Sequence, residues 1–275
     1  MARKRITQIF PQLLPLRIKQ RLLFFYTGMR LDGNRYAVFR SKDLFPYSIF
    51  ETRCPLYNKD TGFDMIYQEN KVYNLKLAAV TLDRVVIRPN ETFSFWQLVR
   101  YADRKTPYKD GLTVIDGKLT TAPGGGLCQM SNLLFWMFLH TPLSVIERHG
   151  HDLKEFPEPP SDAPSGVDAT VSEGWLDLKV QNNTEVSFQI SIAFDDDHIV
   201  GRLLTDIDTR KFYNVINGKP QYYRANNKIY EEVDVKQHTV SSESGICLSE
   251  KLLYRNKCEI AYPLPDGTYV AEKGW

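Results

Sequence analysis

The segment Thr121-Ala122-Pro123-Gly124-Gly125-Gly126-Leu127-Cys128-Gln129-Met130-Ser131 decides how this chain is read. Three consecutive glycines free the backbone to take positive φ and to let other atoms approach closely. The residues from Leu127 to His140 then read as a strongly apolar helix, with seven apolar residues in a row from Leu133 to Leu139. A helix apolar on all sides belongs in a core. Cys128 therefore falls in the first turn of a central helix. The first amides of a helix lack intrahelical acceptors, and its dipole favours negative charge there. A thiol so placed tends toward the thiolate. The amides of Gly124, Gly125 and Gly126 are candidate donors to a developing oxyanion, together with Gln129. Ser131 and Asn132 lie three and four residues beyond Cys128, on its face of the helix, and are candidates to orient the thiolate or a substrate amide. The opposing reading is a buried, inert cysteine beside a tight turn, since free cysteines are commonly core residues.

A thiol nucleophile needs a base. Downstream, Ser144 to Glu147 reads as a strand leading into Arg148-His149-Gly150-His151. Two histidines two apart on a strand point the same way, and a break at Gly150 would separate them. Both are candidate bases, with His151 the choice, and Asp168 is its candidate orienting partner in a Cys–His–Asp arrangement. The plain alternatives are hydrogen-bonded structural histidines and an aspartate that caps a turn.

Composition sets the class. With 275 residues, 43% hydrophobic and 25% charged, the chain is an ordinary globular protein able to bury a sizeable core. A formal net charge of +2 carries no nucleic-acid signal. No apolar run reaches membrane-spanning length, and Arg3-Lys4-Arg5 is followed by Pro11 and Pro15 rather than by a signal-peptide apolar region. The expected location is cytoplasmic. Cys54, Cys128, Cys247 and Cys258 are too scattered for a disulfide framework, and a Cys247–Cys258 bridge is not favoured. No close cysteine pair marks a zinc site, and Cys128 with His149 and His151 makes weak grounds for any metal. No lysine follows the glycines as a phosphate-binding loop requires. No metal and no cofactor are expected.

Residues 1–69 read as a basic N-terminal helix and an aromatic loop region. Residues 1–30 carry seven basic side chains and no acidic one, interleaved with leucines and phenylalanines. Such a segment can rest on an anionic membrane surface, making the protein peripheral to the membrane, or can form a helix from about Pro15 to Tyr26 docked on the domain. Residues 31–70 look irregular. A helix is expected from Asn70 to Leu82, and a hairpin turn at Asp116-Gly117. Residues 70–205 form the central domain. Near its end, Leu176–Val180 and Phe188–Phe194 alternate apolar and polar residues and read as a hairpin joined at Asn182-Asn183-Thr184. Asp195-Asp196-Asp197 reads as a solvated turn. Residues 206–275 read as a small C-terminal β appendage without evident chemistry.

The elements Asn74, Phe93-Ser94-Phe95, Tyr108-Lys109, Gly124-Gly125-Gly126-Leu127-Cys128-Gln129, Glu147-Arg148-His149-Gly150-His151, Asp168-Ala169-Thr170, Asp177-Leu178 and Asn182-Asn183-Thr184 occur in this order. Together they resemble the VanW family, from about residue 70 to 200. The glycine–cysteine and Glu-Arg-His-Gly-His elements are the specific ones. Asn90 stands where the family often has glycine, and Val167 where it often has arginine. The resemblance implies a setting of vancomycin (glycopeptide) resistance and the cell wall. Some family members with membrane anchors are understood to be peptidoglycan L,D-transpeptidases using the motif cysteine, here Cys128. The implied partner is a peptidoglycan peptide or its precursor.

The expected fold is α+β: a buried helix with Cys128 at its N-terminus, packed on an antiparallel sheet that carries the histidines and Asp168. Two functions follow. One is a cysteine acyltransferase that forms a thioester on Cys128. The other is a non-catalytic binding or scaffold protein of the resistance pathway at the inner membrane face.

Overall fold

The computed structural model describes residues 10–115, 118–154, 157 and 163–272. The expected turn at Asp116-Gly117 and much of the proline-rich loop after Lys154 lie outside the described residues. The chain opens with helix α1 (Leu14–Leu31), followed by β1 (Arg35–Tyr36), β2 (Tyr47–Pro55) and helix α2 (Ile66–Leu82). Two short strands, β3 (Val86–Ile87) and β4 (Glu91–Ser94), lead to a single helical turn, α3 (Phe95–Val99). A two-stranded ribbon, β5 (Asp110–Ile115) and β6 (Lys118–Pro123), delivers the glycines to helix α4 (Cys128–Leu139). Beyond it lie β7 (Ser144–Glu147), β8 (Leu153–Lys154), β9 (Lys179–Gln181), β10 (Phe188–Phe194) and β11 (His198–Thr205). The last third is all strand: β12 (Lys211–Asn217), β13 (Gln221–Ala225), β14 (Lys228–Ser241), β15 (Cys247–Ile260) and β16 (Val270–Glu272).

The fold is α+β with mainly antiparallel sheets, and α4 runs through its core. Met130 and every residue from Leu133 to Leu139 are buried. One sheet, in the order β2-β11-β10-β3, lies against it. Close packing there requires Gly201 in β11, because a Cβ at that position would stand 2.4 Å from Met137 Sδ. Phe138 meets Phe93 with ring centroids 4.9 Å apart, which ties α4 to a second sheet, β1-β4-β9-β7. The signature residues Ser94 and Asp177 also meet inside the core. Ser94 Oγ donates to Asp177 Oδ2 at 2.5 Å while accepting from Gln97 N, so it caps α3. Asn90 sits at φ 63°, in the left-handed region, which accounts for the glycine often found there.

Two features depart from the sequence reading. Residues 47–55 form a nine-residue strand, β2, instead of a loop. It pairs along β11, but Leu203 faces Phe50 and Leu204 faces Ser48, so Ile49 is an extra residue. That bulge breaks the period-two pattern that would have marked the strand. The expected hairpin at Asn182-Asn183-Thr184 does not form either. Lys179–Gln181 pairs with β4 and β7, whereas Phe188–Phe194 pairs with β11 and β3 in the other sheet. Asn182 makes this transfer by donating to Ile87 O and Val186 O at 3.0 and 2.7 Å. The C-terminal region is β, a sheet in the order β16-β13-β14-β15-β8 with β12 also on β14, and its Val235, Leu253 and Tyr254 pack on the central core. Cys247 and Cys258 lie near opposite ends of β15, and all four cysteines are free.

Candidate active site

The glycine turn is built before the thiol is placed. Gly124 and Gly126 take φ of 78° and 91°, conformations that ordinary side chains resist. Gly124 N donates to Lys109 O, and Gly125 N to Ala122 O. Gly125 also lies against Gly111 so closely that a Cβ on Gly125 would stand 2.1 Å from Gly111 O. From α2, the Asn74 carboxamide clamps the assembly: Nδ2 donates to Lys109 O and Gly125 O, and Oδ1 accepts from Lys109 N. The spaced signature residues Asn74, Lys109 and Gly125 are therefore one hydrogen-bonded unit. It feeds the chain into α4 with Cys128 as the first helical residue.

Opposite Cys128 stand two stretches, 148–151 and 168–171. Strand β7 ends at Glu147, ahead of both histidines, so the two diverge. The His149 ring lies 3.1 Å from Glu147 Oε1, and Lys179 binds the other carboxylate oxygen at 3.0 Å. His151 turns the other way. Its Nδ1 lies 2.8 Å from Asp168 Oδ2, and its backbone N–H donates to the same oxygen at 2.6 Å. The ring is also set against the Cys128 thiol, close enough for the two groups to shift each other's titration. Cys128 Sγ is 3.3 Å from Thr170 Oγ1 and 3.7 Å from Val171 O.

The electrostatics of the three groups favour an ion pair. Burial pushes the Cys128 thiol up, but the hydrogen bond and charge of His151, with Thr170 and Val171 O, outweigh it and hold the thiol below its ordinary value. Burial pushes His151 down, yet Asp168 and the Cys128 sulfur raise it to about 10. Burial likewise raises the Asp168 carboxyl, and its bond to His151 with the charge of Arg148 brings it below the usual carboxylate range. A thiolate facing an imidazolium is the form these shifts select.

Other expected site residues have framework partners. Gly124 and Gly125 already donate within the turn, so they are not available to an oxyanion. Gly126 accepts from Gln129 N, and its α-carbon lies under the Lys71 stem. The Gln129 side chain reaches away, to Pro55 O at 2.6 Å and Cys54 Sγ at 3.3 Å. Ser131 Oγ donates to Ala169 O, and Asn132 Oδ1 accepts from Ala169 N. Neither bonds the sulfur; they fasten the loop whose neighbouring residues act there, Thr170 on the sulfur and Asp168 on His151. Because His149 is turned to Glu147, Cys128, His149 and His151 do not converge on a metal position. No cluster suited to a metal occurs among the described residues.

Four contributors escaped the sequence reading. Thr170 touches the sulfur. Arg148 ion-pairs with Asp168 Oδ1 and donates from Nε to Asp168 O. Asn256, on β15, accepts from Arg148 Nη2 at 2.7 Å, and the Tyr254 ring lies under the same guanidinium at 4.5 Å. Thr170 and Arg148 were visible as signature residues. Nothing local in the weakly patterned 247–260 segment marks Asn256.

Fold and site together define a class: an α+β protein holding a thiol at a helix N-terminus against a histidine–aspartate pair. Comparison with known proteins gives the class its family. A family described as "VanW like protein" matches residues 70–204. The "Vancomycin B-type resistance protein VanW" of Enterococcus faecalis (strain ATCC 700802 / V583) is 57% identical over 272 residues, 99% of each chain. The chain belongs to the VanW family. The "Uncharacterized protein YoaR" of Bacillus subtilis (strain 168) is 37% identical over 114 residues, 42% of this chain and 36% of that one. No solved structure matches.

Proposed function

We propose that this chain acts in vancomycin resistance as a cysteine acyltransferase on peptidoglycan peptides or their precursors. The observation that carries the chemistry is the meeting of Cys128, His151 and Asp168, with His151 bonded to Asp168 and set against the thiol. The resistance setting rests on the likeness to the Enterococcus faecalis protein. The Cys128 thiolate attacks a peptide carbonyl carbon, forming a C–S bond. As the C–N bond breaks, His151 gives its proton to the leaving amine. An acceptor amine or water then attacks the thioester, returns a proton to His151 and releases the thiolate. Asp168 holds the imidazole and stabilises its charged form. With Gly124 and Gly125 engaged, the oxyanion falls to the helix start, where the Cys128 amide has no intrahelical acceptor. For a cytoplasmic chain, as the sequence reading has it, the substrate is the peptide of a wall precursor.

A non-catalytic binding role is favoured by one observation, that the Gln129, Ser131 and Asn132 side chains are all tied into the framework. The pH dependence of Cys128 alkylation, read by peptide mass, separates the two. The acyltransferase reading expects a thiol titrating below its ordinary value. In His151→Ala that value should rise, because the imidazole no longer offsets burial. Incubation with a wall stem peptide should add an acyl mass to Cys128, absent in Cys128→Ser. A thiol that reacts only on unfolding, with no acyl adduct, would sink the catalytic reading.

A further inference from the structure

Helix α1 uses only one face to hold the domain. Leu22, Phe25, Tyr26 and Met29 follow the i, i+3, i+4, i+7 spacing and turn inward, with Met29 buried. Tyr26 donates its hydroxyl to Glu173 Oε1 at 2.7 Å, and Leu22 lies against Gly174. The opposite face also carries exposed apolar side chains, with Gln20 and Thr27 set among them. Leu16, Leu23, Phe24 and Leu31 are 67%, 65%, 66% and 80% exposed. They fall within an arc of roughly 100° on the helix. Lys19 and Arg30 border one edge of that arc, and Arg17 and Arg21 the other. Scattered exposed leucines are ordinary; a stripe along a whole helix is a contact surface.

Charge says what covers it. Residues 1–30 contain no acidic side chain. Two copies joined through this stripe would bring like charges together along both edges, which disfavours self-association. An anionic bilayer satisfies both features: apolar side chains enter the acyl boundary while long cationic ones reach the headgroups. Among the described residues no helix is long and apolar enough to cross a membrane. We propose that α1 is an interfacial helix that seats this protein on an anionic lipid bilayer through Leu16, Leu23, Phe24 and Leu31. This reading is independent of the chemistry at Cys128.

Flotation of the full chain with phosphatidylcholine vesicles, with and without phosphatidylglycerol, tests it. Binding should favour the anionic vesicles by about tenfold and weaken with salt. The double variant Leu23→Gln, Phe24→Gln should lose about tenfold in binding. Those side chains are exposed, so its melting temperature should stay at the wild-type value. Replacing Arg17, Lys19 and Arg30 by Gln should abolish the preference for anionic lipid. No flotation, or equal flotation by the apolar double variant, would overturn the proposal. So would a wild-type dimer that the double variant turns into a monomer without any lipid binding.

Discussion

Three groups converge on the Asp168 carboxylate: the His151 ring, the His151 amide and the Arg148 guanidinium. A carboxylate bound this way stays ionised and fixes the imidazole. Asp168→Asn should therefore lower the His151 pKa and slow Cys128 alkylation at neutral pH by roughly tenfold, read from alkylation rates. Asp177 behaves in the opposite sense. Burial raises it to about 6 despite its bonds from Ser94 and Trp96 N. The folded chain keeps this proton up to about pH 6, while the unfolded chain releases it near 3.8. Its contribution to stability is whole below pH 3.8 and is lost as the pH rises through about 6. Asp177→Asn should remove that loss, so its stability in denaturant unfolding should gain on wild type between pH 4 and 7, by about 2 kcal/mol. Parallel curves for the two proteins would show that Asp177 does not titrate in this range.

At the scale of elements, glycines divide into those that packing requires and those it does not. At Gly125 a methyl group would meet Gly111 backbone, which cannot yield as a flexible side chain can. Gly125→Ala should cost about 3 kcal/mol or more, read by denaturant unfolding. Gly28 sits within α1, and a methyl group added there would meet nothing within 4 Å. Gly28→Ala should stabilise by about 0.5–1 kcal/mol, since alanine favours helix. Equal effects at both positions would refute this division. Helix α4 was plain in the sequence because seven adjacent apolar residues suit only a core helix. Strand β2 was not, because the bulge at Ile49 hides its alternation, and pairing with β11 some 150 residues later decides it. The transfer at Asn182 was hidden for a related reason: alternation shows a strand but not which sheet receives it.

For the whole molecule, the site draws on distant parts of the chain. Helix α2 clamps the glycine turn, α4 supplies the thiol, the 148–151 and 168–171 stretches supply its partners, and β15 supplies Asn256 behind Arg148. Cys128, His151 and Asp168 were legible because their residue types announce chemistry. Asn256 was not, since a buried asparagine in a strand has no local mark and its role exists only through the fold. Gly150 completes this contact, for a Cβ there would lie 2.9 Å from Asn256 Oδ1. Asn256→Leu should leave Arg148 without its far partner and lower the His151 pKa. Titration of the His151 ring by NMR would show it, with far-ultraviolet circular dichroism confirming an intact fold. An unmoved His151 titration would mean that Asp168 holds the ring unaided.

The contact between Arg148 and Asn256 spans 108 residues of sequence. During synthesis the thiol of Cys128 leaves the ribosome early, followed by His151 and Asp168. Asn256 emerges 108 residues after Arg148. Until then Arg148 lacks its last anchor, so the charge arrangement around the thiol is completed only by β15. The surroundings of the thiol are therefore complete only in a chain that has folded through β15.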